Sequence, residues 1–366
     1  MGGAAAFHLA RRGARVLLLE RFRIPHEQGS SHGITRIIRL AYFEHPSYVP
    51  LLWRAYELWE ALEHEAGEAL LHITGSVDAG PPDSRTVTGS RRSCEAHGLA
   101  HDVLTSAELS ARFPGYALPA DYLAVWQPRG GFLVPERWLT AHAAMAARHG
   151  AEVREEEPVL RWAPRHGGVE VETPRGRYHA GQLVVAAGSW TGALVPSLAP
   201  LLRPERQVLA WFDLANRDAF APARFPVFNL DHAGEHWYGF PEFGTPGFKV
   251  GCYHHRREVV DPDRLDRTDV QPADVALLHR VVHDCFPAVG SHPLLTRTCL
   301  FTNTPDEHFI LDRLPEAPAV VIAHACSGHG FKFSPVIGEI AADLTLDGTT
   351  RHDIALHRLS RFAAAS

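Results

Sequence analysis

The first twenty residues constrain the fold of this chain more than any other stretch. Gly2 leads into a small-residue helical run (AAAFHLARR, 4–12), Gly13 stops it, and RVLLLE (15–20) reads as a short buried strand ending on an acid. Helix, glycine turn, strand and acid form the second half of a dinucleotide-binding βαβ unit. In that unit the third glycine lets the helix start close to a pyrophosphate, and the acid accepts hydrogen bonds from a ribose. Gly2 fits the third glycine and Glu20 the acid, whereas the first strand and the two earlier glycines of G-x-G-x-x-G are not in the sequence. That strand normally lies at the centre of a parallel sheet, and each buried backbone group left unpaired by its loss costs about 1–3 kcal/mol. The expectation is a reading frame that starts late, by roughly 10–15 residues, enough for one strand and its glycine turn.

Beyond the opening, 48–66 has the spacing of an amphipathic helix, and 135–149 starts on Pro135 and stops at Gly150 as a second one. Strand-like runs follow at 169–172, 183–187, 206–213, 226–230, 236–241 and 247–253, then 296–304 and 319–325, before a helix from Ser334 to about Leu346. The order is α/β, then strands, then α/β again. It predicts a Rossmann-type nucleotide domain, first strand absent, with an inserted α+β domain built on a mostly antiparallel sheet. The corresponding boundaries are 1–75, 135–205 and 299–366 for the nucleotide domain, and 76–134 and 206–298 for the substrate domain. Gly188, closing the strand LVVAAG, suits a second crossover beneath a nucleotide or an ordinary strand end.

Composition excludes several classes. The net charge of −6 and the lack of a long basic run argue against nucleic acid as a partner. No apolar stretch reaches membrane-spanning length, and no signal peptide opens the chain. The five cysteines (Cys94, Cys252, Cys285, Cys299, Cys326) lack CxxC spacing, so a reducing cytoplasm is the expected compartment. His279 and His283 lie one helical turn apart before Cys285, but without the Glu of HExxH or a distant third ligand they do not make a metal site. GSSHG (29–33) matches the nucleophile elbow G-x-S-x-G of hydrolases, yet polar RFRIPHEQ precedes it where a buried strand is needed.

Four segments set polar groups in apolar or glycine-rich surroundings. TRIIRLAY carries Arg36 and Arg39, and a buried arginine needs an anion or other acceptors, structural ion pairs included. WYGFP, with Tyr238, is followed by GFKVG, whose Lys249 is either an edge-strand charge or a functional cation. Cys299 lies in TRTCLFTNTPDEHFILD and alone reads as a buried thiol. SGHGFKF (327–333) is a glycine-rich turn opening onto a helix, a geometry that aims backbone N–H groups at an anion.

Taken together and in this order, these segments resemble the family of monomeric sarcosine oxidases and N-methyltryptophan oxidases, within the D-amino-acid-oxidase-type flavoproteins. The resemblance runs from Met1 to the closing HRLSRF. It implies FAD held covalently, with the Cys299 sulfur bonded to the flavin 8α-methyl. It places His32, Arg36 and Lys249 at the flavin face, and gives Arg39 and Lys332 the substrate carboxylate. Tyr238 matches an active-site tyrosine, while Ser31, Val159, Trp190, Gly330, Phe331 and Lys332 match positions beside the cofactor. In the family a histidine lies four residues after the strand lysine. Here that place is Tyr253, with His254 and His255 just beyond, which makes His254 the candidate substrate contact and leaves specificity open. The implied reaction is oxidation of a secondary, N-methyl amino acid by O2 to the primary amino acid, formaldehyde and hydrogen peroxide, in a monomer. A flavin dehydrogenase with another electron acceptor, and a relic that has lost its cofactor, are the alternatives. Which amine is oxidised is not legible in the residues.

Overall fold

The helix expected at the start forms over Gly2–Arg11 and packs between the helices Pro135–Arg148 and Ser334–Leu346. Small residues permit the close approach: a Cβ on Gly338 would lie 2.5 Å from the backbone carbon of Ala4. The computed structural model describes residues 1–365.

The strands beside this helix are parallel. Leu17–Leu19 pairs with Glu152–Arg154, and Leu183–Val185 pairs with Ala317–His324. Among the described residues no strand joins these two sheets. Their apolar surfaces pack on the flanking helices; Val321, Ala323 and Leu311 meet Ile337 and Ile340 of the late helix.

The largest sheet has eight strands. In spatial order they are Val289–Asn303, Arg203–Leu214, Phe248–Cys252, Glu235–Phe240, Val227–His232, Ser76–Gly80, Leu123–Gln127 and Asp102–Thr105. Every pairing is antiparallel except Val227–His232 with Ser76–Gly80. The α/β class with an antiparallel-dominated second sheet is therefore what the chain forms, and that sheet draws its strands from 76–127 and 203–303.

Alternation along these strands separates two environments. Val208, Ala210, Phe212, Phe248, Val250, Trp237 and Phe228 leave one face and pack against Leu278, Val281 and Val282 of the helix Pro272–Cys285. The opposite face carries Cys299, Leu209, Trp211, Lys249, Tyr238, Asn229 and Asp78. The register joins them: Trp211 opposes Lys249, Lys249 opposes Phe240, and Asn229 opposes both Tyr238 and Asp78. Residues 29–43 are tied to this face by Lys249 and Arg39 (below), with Arg36–Ile38 pairing to Gly131–Leu133.

The sequence pattern did not anticipate the helix Arg85–His97 or the strands Ser76–Gly80 and Leu123–Gln127. The buried positions of that helix are Thr86, Val87, Gly89, Ser90, Ser93 and Cys94, too small and polar to make an apolar stripe. Gly89 is obligatory there, because a Cβ would stand 2.4 Å from the carbonyl oxygen of Phe43. No helix among the described residues is long and apolar enough to cross a membrane.

Candidate active site

The covered polar face of the large sheet gathers most of the singled-out residues. Arg36 donates to the carbonyls of Thr35 (3.0 Å) and Ser30 (2.9 Å) and stands 3.5 Å from the Cys299 sulfur. Cys299 is buried against Leu209 and Trp211. Lys249, 1% exposed, donates to the carbonyls of Gly33 (2.6 Å) and Thr35 (2.8 Å) and to the Thr35 hydroxyl (2.9 Å). Three acceptors match the three N–H groups of an ammonium. They oppose burial and the nearby Arg36 charge, which push the Lys249 pKa well down. The ammonium also lies 4.2 Å from the Phe240 ring centroid.

Beside these cations, His32 is fully buried and neither ring nitrogen has a partner in the chain. Burial, then Arg36 and Lys249, lower its pKa to about 3, so the ring is neutral. The Ser30 hydroxyl is likewise buried without a partner, and Ser31 lies between them in the same loop.

Arg39 is held by its surroundings except at Nε, which is buried without a hydrogen-bond partner. Its guanidinium donates to both Glu44 oxygens (2.9 and 2.7 Å) and to the Ala41 carbonyl, with Asp78 at 3.8 Å. It lies over the rings of Tyr42 and Phe43, each 4.4 Å away. Although burial opposes it, the Arg39 charge holds the Glu44 pKa down at about 2. Burial outweighs Arg39 at Asp78 and raises its pKa; Ser90 and Asn229 donate to its two oxygens at 2.8 and 2.7 Å.

Lys332 lies 5.3 Å from the same Tyr42 ring and donates to the His329 carbonyl at 2.9 Å. Burial and Arg39 lower its pKa to about 7. His329, neutral because burial lowers it to about 4, bonds the Glu307 carbonyl through Nε2 and therefore accepts from the Tyr42 hydroxyl at Nδ1. Gly330 admits no other residue, since a Cβ would sit 1.6 Å from the Ala325 carbonyl oxygen. Phe331 stacks on Trp59, whose indole N–H donates to the Lys332 carbonyl.

Tyr238 packs edge-on against Tyr253 (5.5 Å), and the Tyr253 hydroxyl donates to the Gly328 carbonyl at 3.3 Å, bridging sheet and glycine turn. His254 is placed differently. Its nitrogens are held by Glu205 (3.0 Å) and Glu307 (2.9 Å), and its ring lies 6.2 Å from that of Tyr253. His254 and Glu307 both have left-handed backbone (φ 57 and 62). The sequence reading missed Thr35, Glu44, Asp78, Asn229 and His329; only Tyr253 left a signal, through its spacing from Lys249.

A second group lies at the carboxyl ends of the parallel strands, where open α/β folds bind nucleotides. Glu20 follows Leu17–Leu19 and accepts from the Phe22 N–H at 2.9 Å. A Cβ on Gly2 would stand 3.7 Å from the Ala186 Cβ, and Gly188 turns the chain at φ 53. Trp190 donates to Asp263 at 2.8 Å, and Val159, like Leu19 and Trp162, packs against the apolar cluster that includes Val169, Val171 and Ile322.

An acid and a helix start at one end, with a thiol, cations and orphaned polar atoms at the other, fit a dinucleotide carrying an electron-accepting ring. That is the layout of a flavin-type oxidoreductase. The family model described as FAD dependent oxidoreductase (DAO) matches residues 1–344, and the chain belongs to that family. It is similar to the monomeric sarcosine oxidase of Streptomyces avermitilis, 43% identical, covering 100% of this chain and 96% of that protein. It is similar also to the N-methyl-L-tryptophan oxidase of Salmonella arizonae, 35% identical over 99% of this chain and 96% of that protein. Among solved structures it resembles an open form of NikD, described as an unusual amino acid oxidase, at 28% identity and TM-score 0.80, covering 96% and 93% of the two chains. The family resemblance read from the sequence therefore holds, and the enzyme is an FAD-dependent oxidoreductase.

The His254 clamp carries a pH signature. Hydrogen bonds donated to Glu205 and Glu307 raise its pKa from 6.5 to about 9. Its stabilisation is complete below pH 6.5 and is lost as pH rises through about 9. Melting temperatures measured from pH 6 to 10 should fall more steeply for the parent than for His254→Gln; parallel profiles would count against the clamp.

Proposed function

We propose that this enzyme oxidises a small secondary amino acid with O2, an N-methyl amino acid fitting best. The balanced reaction takes the N-methyl amino acid, O2 and water to the primary amino acid, formaldehyde and hydrogen peroxide. Bound FAD supplies the two-electron relay between amine and oxygen. What carries the reading is one observation: three cations, Arg39, Lys249 and Lys332, are each at most 5% exposed, and the Arg36 guanidinium stands 3.5 Å from the Cys299 sulfur. The names of the relatives support it.

Each residue has a physical task. Lys332 and Arg39 hold the substrate carboxylate, and their positive charge lowers the pKa of the substrate ammonium, favouring the neutral amine that reacts. Tyr238 and Tyr253 wall the amine. Lys249 and Arg36 put fixed positive charge where electrons arrive, on the ring and then on oxygen. His32 adds a neutral buried donor and acceptor. Cys299 tethers the ring as a thioether. Gly2, Glu20, Ser31, Val159, Gly188, Trp190, Gly330 and Phe331 hold the rest of the cofactor. The two-domain division given above, a monomeric state and a cytoplasmic location belong to the same proposal. A dehydrogenase using another acceptor is disfavoured by the Lys249 cation.

Three measurements test it. A peroxide-coupled panel of secondary amino acids should identify the amine, and in stopped-flow with that amine Lys249→Met should slow reoxidation by O2 far more than anaerobic reduction. Equal effects on both half-reactions would remove Lys249 from the oxygen step. Lys332, with its pKa near 7, must take up a proton above that pH to bind a carboxylate. The inhibition constant of a carboxylate without an amine, such as propionate, should therefore rise up to about tenfold per unit above pH 7. Lys332→Met should bind it more weakly and flatten the profile, whereas a flat parent profile sinks carboxylate capture at Lys332. Finally, acid precipitation should leave flavin in the protein pellet of the parent and release it from Cys299→Ser; flavin wholly in the parent's supernatant would refute the thioether.

A further inference from the structure

The turn that cups Lys249 has a backbone conformation its residues do not favour. Gly33 has φ 97 and Ile34 has φ 73, and a branched residue in the left-handed region is a genuine outlier. The Thr35 N–H donates to the Gly33 carbonyl at 2.8 Å, which closes a γ-turn of the rare kind with a left-handed central residue. Such a conformation persists where the surroundings over-determine it. Here the Ile34 side chain packs against the cluster of Leu209, Trp211 and Cys299, and two charged groups hold the backbone. On one side Lys249 donates to the carbonyls of Gly33 and Thr35. On the other, a single carboxylate oxygen of Glu136 accepts from the N–H groups of Gly33 (2.6 Å) and Ile34 (3.0 Å).

Glu136 stands in the first turn of the helix Pro135–Arg148, where an acid ordinarily serves the helix by lying near its free N–H groups. This one reaches across to the turn instead. The carbonyl of Gly33 and the N–H of Ile34 belong to one peptide group, which therefore carries the Lys249 ammonium at one end and the Glu136 carboxylate at the other. Hydrogen bonds in such a chain polarise one another, so the carboxylate makes the carbonyl a better acceptor. Around Lys249, Arg36 opposes the positive charge, Glu136 and Cys299 favour it, and His32 is neutral. A thioether at Cys299 carries no charge, which leaves Glu136, of these groups, as the anion that sustains the ammonium. We propose that Glu136 is a positioning residue for the oxidative half-reaction: through the Gly33–Thr35 turn it fixes the Lys249 ammonium in place and keeps it charged. This rests on the reading that Lys249 acts in the oxygen step.

The composition of the chain makes this testable without turnover. It contains two lysines, Lys249 and Lys332, so lysine isotopically labelled at the ε-carbon gives two NMR signals, assigned with Lys332→Arg. Glu136→Gln keeps an oxygen to accept both N–H groups and removes the charge. In the oxidised holoenzyme the Lys249 signal of this variant should titrate at lower pH than in the parent, because an anion favouring the ammonium is gone. The Lys332 signal should not move, since burial, Arg39, Glu44 and Asp78 set its titration. Stopped-flow should show reoxidation by O2 lost at correspondingly lower pH. Above both midpoints the ratio of reoxidation to anaerobic reduction should fall roughly three- to tenfold. Coincident Lys249 titrations in parent and variant overturn the proposal, because a residue that only anchors the loop would leave them so. A shifted Lys249 signal with unshifted reoxidation overturns the oxygen role of Lys249 instead, while Glu136 keeps its hold on the ammonium. Where the Gln variant does not fold, Glu136→Asp, which withdraws the charge by one methylene, should lower the Lys249 midpoint by a smaller step; no change there also overturns the proposal.

Discussion

The pleat of the eight-stranded sheet is the constraint on which the rest of the structure depends. Because side chains alternate strictly, Val208, Ala210 and Phe212 must enter the core on the Pro272–Cys285 helix if Leu209 and Trp211 are to line the opposite face. The same rule places Lys249 away from Phe248 and Val250, and Cys299 opposite Gln207. A one-residue slip of Phe248–Cys252 would carry Lys249 into the apolar core and Phe248 into the site. The apolar face is thus what specifies the register, at about 1.5–3 kcal/mol for each large side chain buried. The polar face inherits its geometry from that packing.

Burying three cations in one region then requires compensation, and the chain supplies it differently for each. Arg39 receives carboxylates, with Glu44 bidentate and Asp78 behind it. Lys249 receives neutral oxygens only, from Gly33 and Thr35. Lys332 receives a single carbonyl and is the least satisfied of the three. This ordering follows their depth in charge: the guanidinium stays ionised, whereas the lysines are pushed down by burial and by their cationic neighbours. Glu136, which accepts from the Gly33 and Ile34 N–H groups, is the carboxylate that acts on Lys249, and it offsets burial and Arg36 only in part.

Much of this was legible from the sequence, for identifiable reasons. Strong periodicity revealed the helices Tyr48–Ala66, Pro135–Arg148 and Ser334–Leu346, and polar residues within apolar runs revealed Arg36, Arg39, Lys249 and Lys332. What stayed hidden works through small or distant groups. Ser90 and Ser93 anchor Asp78 and the Tyr42 carbonyl from a helix with no apolar stripe, and Glu44 meets Arg39 only because the chain turns back after Tyr42. His254 was read as a candidate substrate contact because the family resemblance puts a histidine four residues after the strand lysine, one place before it. Spacing along a strand says nothing about a chain that leaves the strand, and beyond Cys252 the backbone turns through left-handed residues at 254, 255 and 257. That turn carries His254 away to two carboxylates and leaves Tyr253 at the site.

The consequence is a connection between two surfaces of the molecule. Glu307, whose side chain holds His254, offers its own carbonyl to His329 Nε2, and His329 in turn accepts from Tyr42 and offers its carbonyl to Lys332. The large sheet, the 304–309 turn and the glycine turn before the Ser334–Leu346 helix are therefore held by one run of hydrogen bonds. Tyr253 makes a second tie between sheet and glycine turn through Gly328. Because Gly328 and Gly330 leave no room for side chains against Phe301 and Ala325, that turn has little freedom to relax. The distance between Lys332 and the sheet is consequently set by backbone contacts rather than by flexible side chains, which is what the proposed positioning of a small substrate against a fixed ring demands.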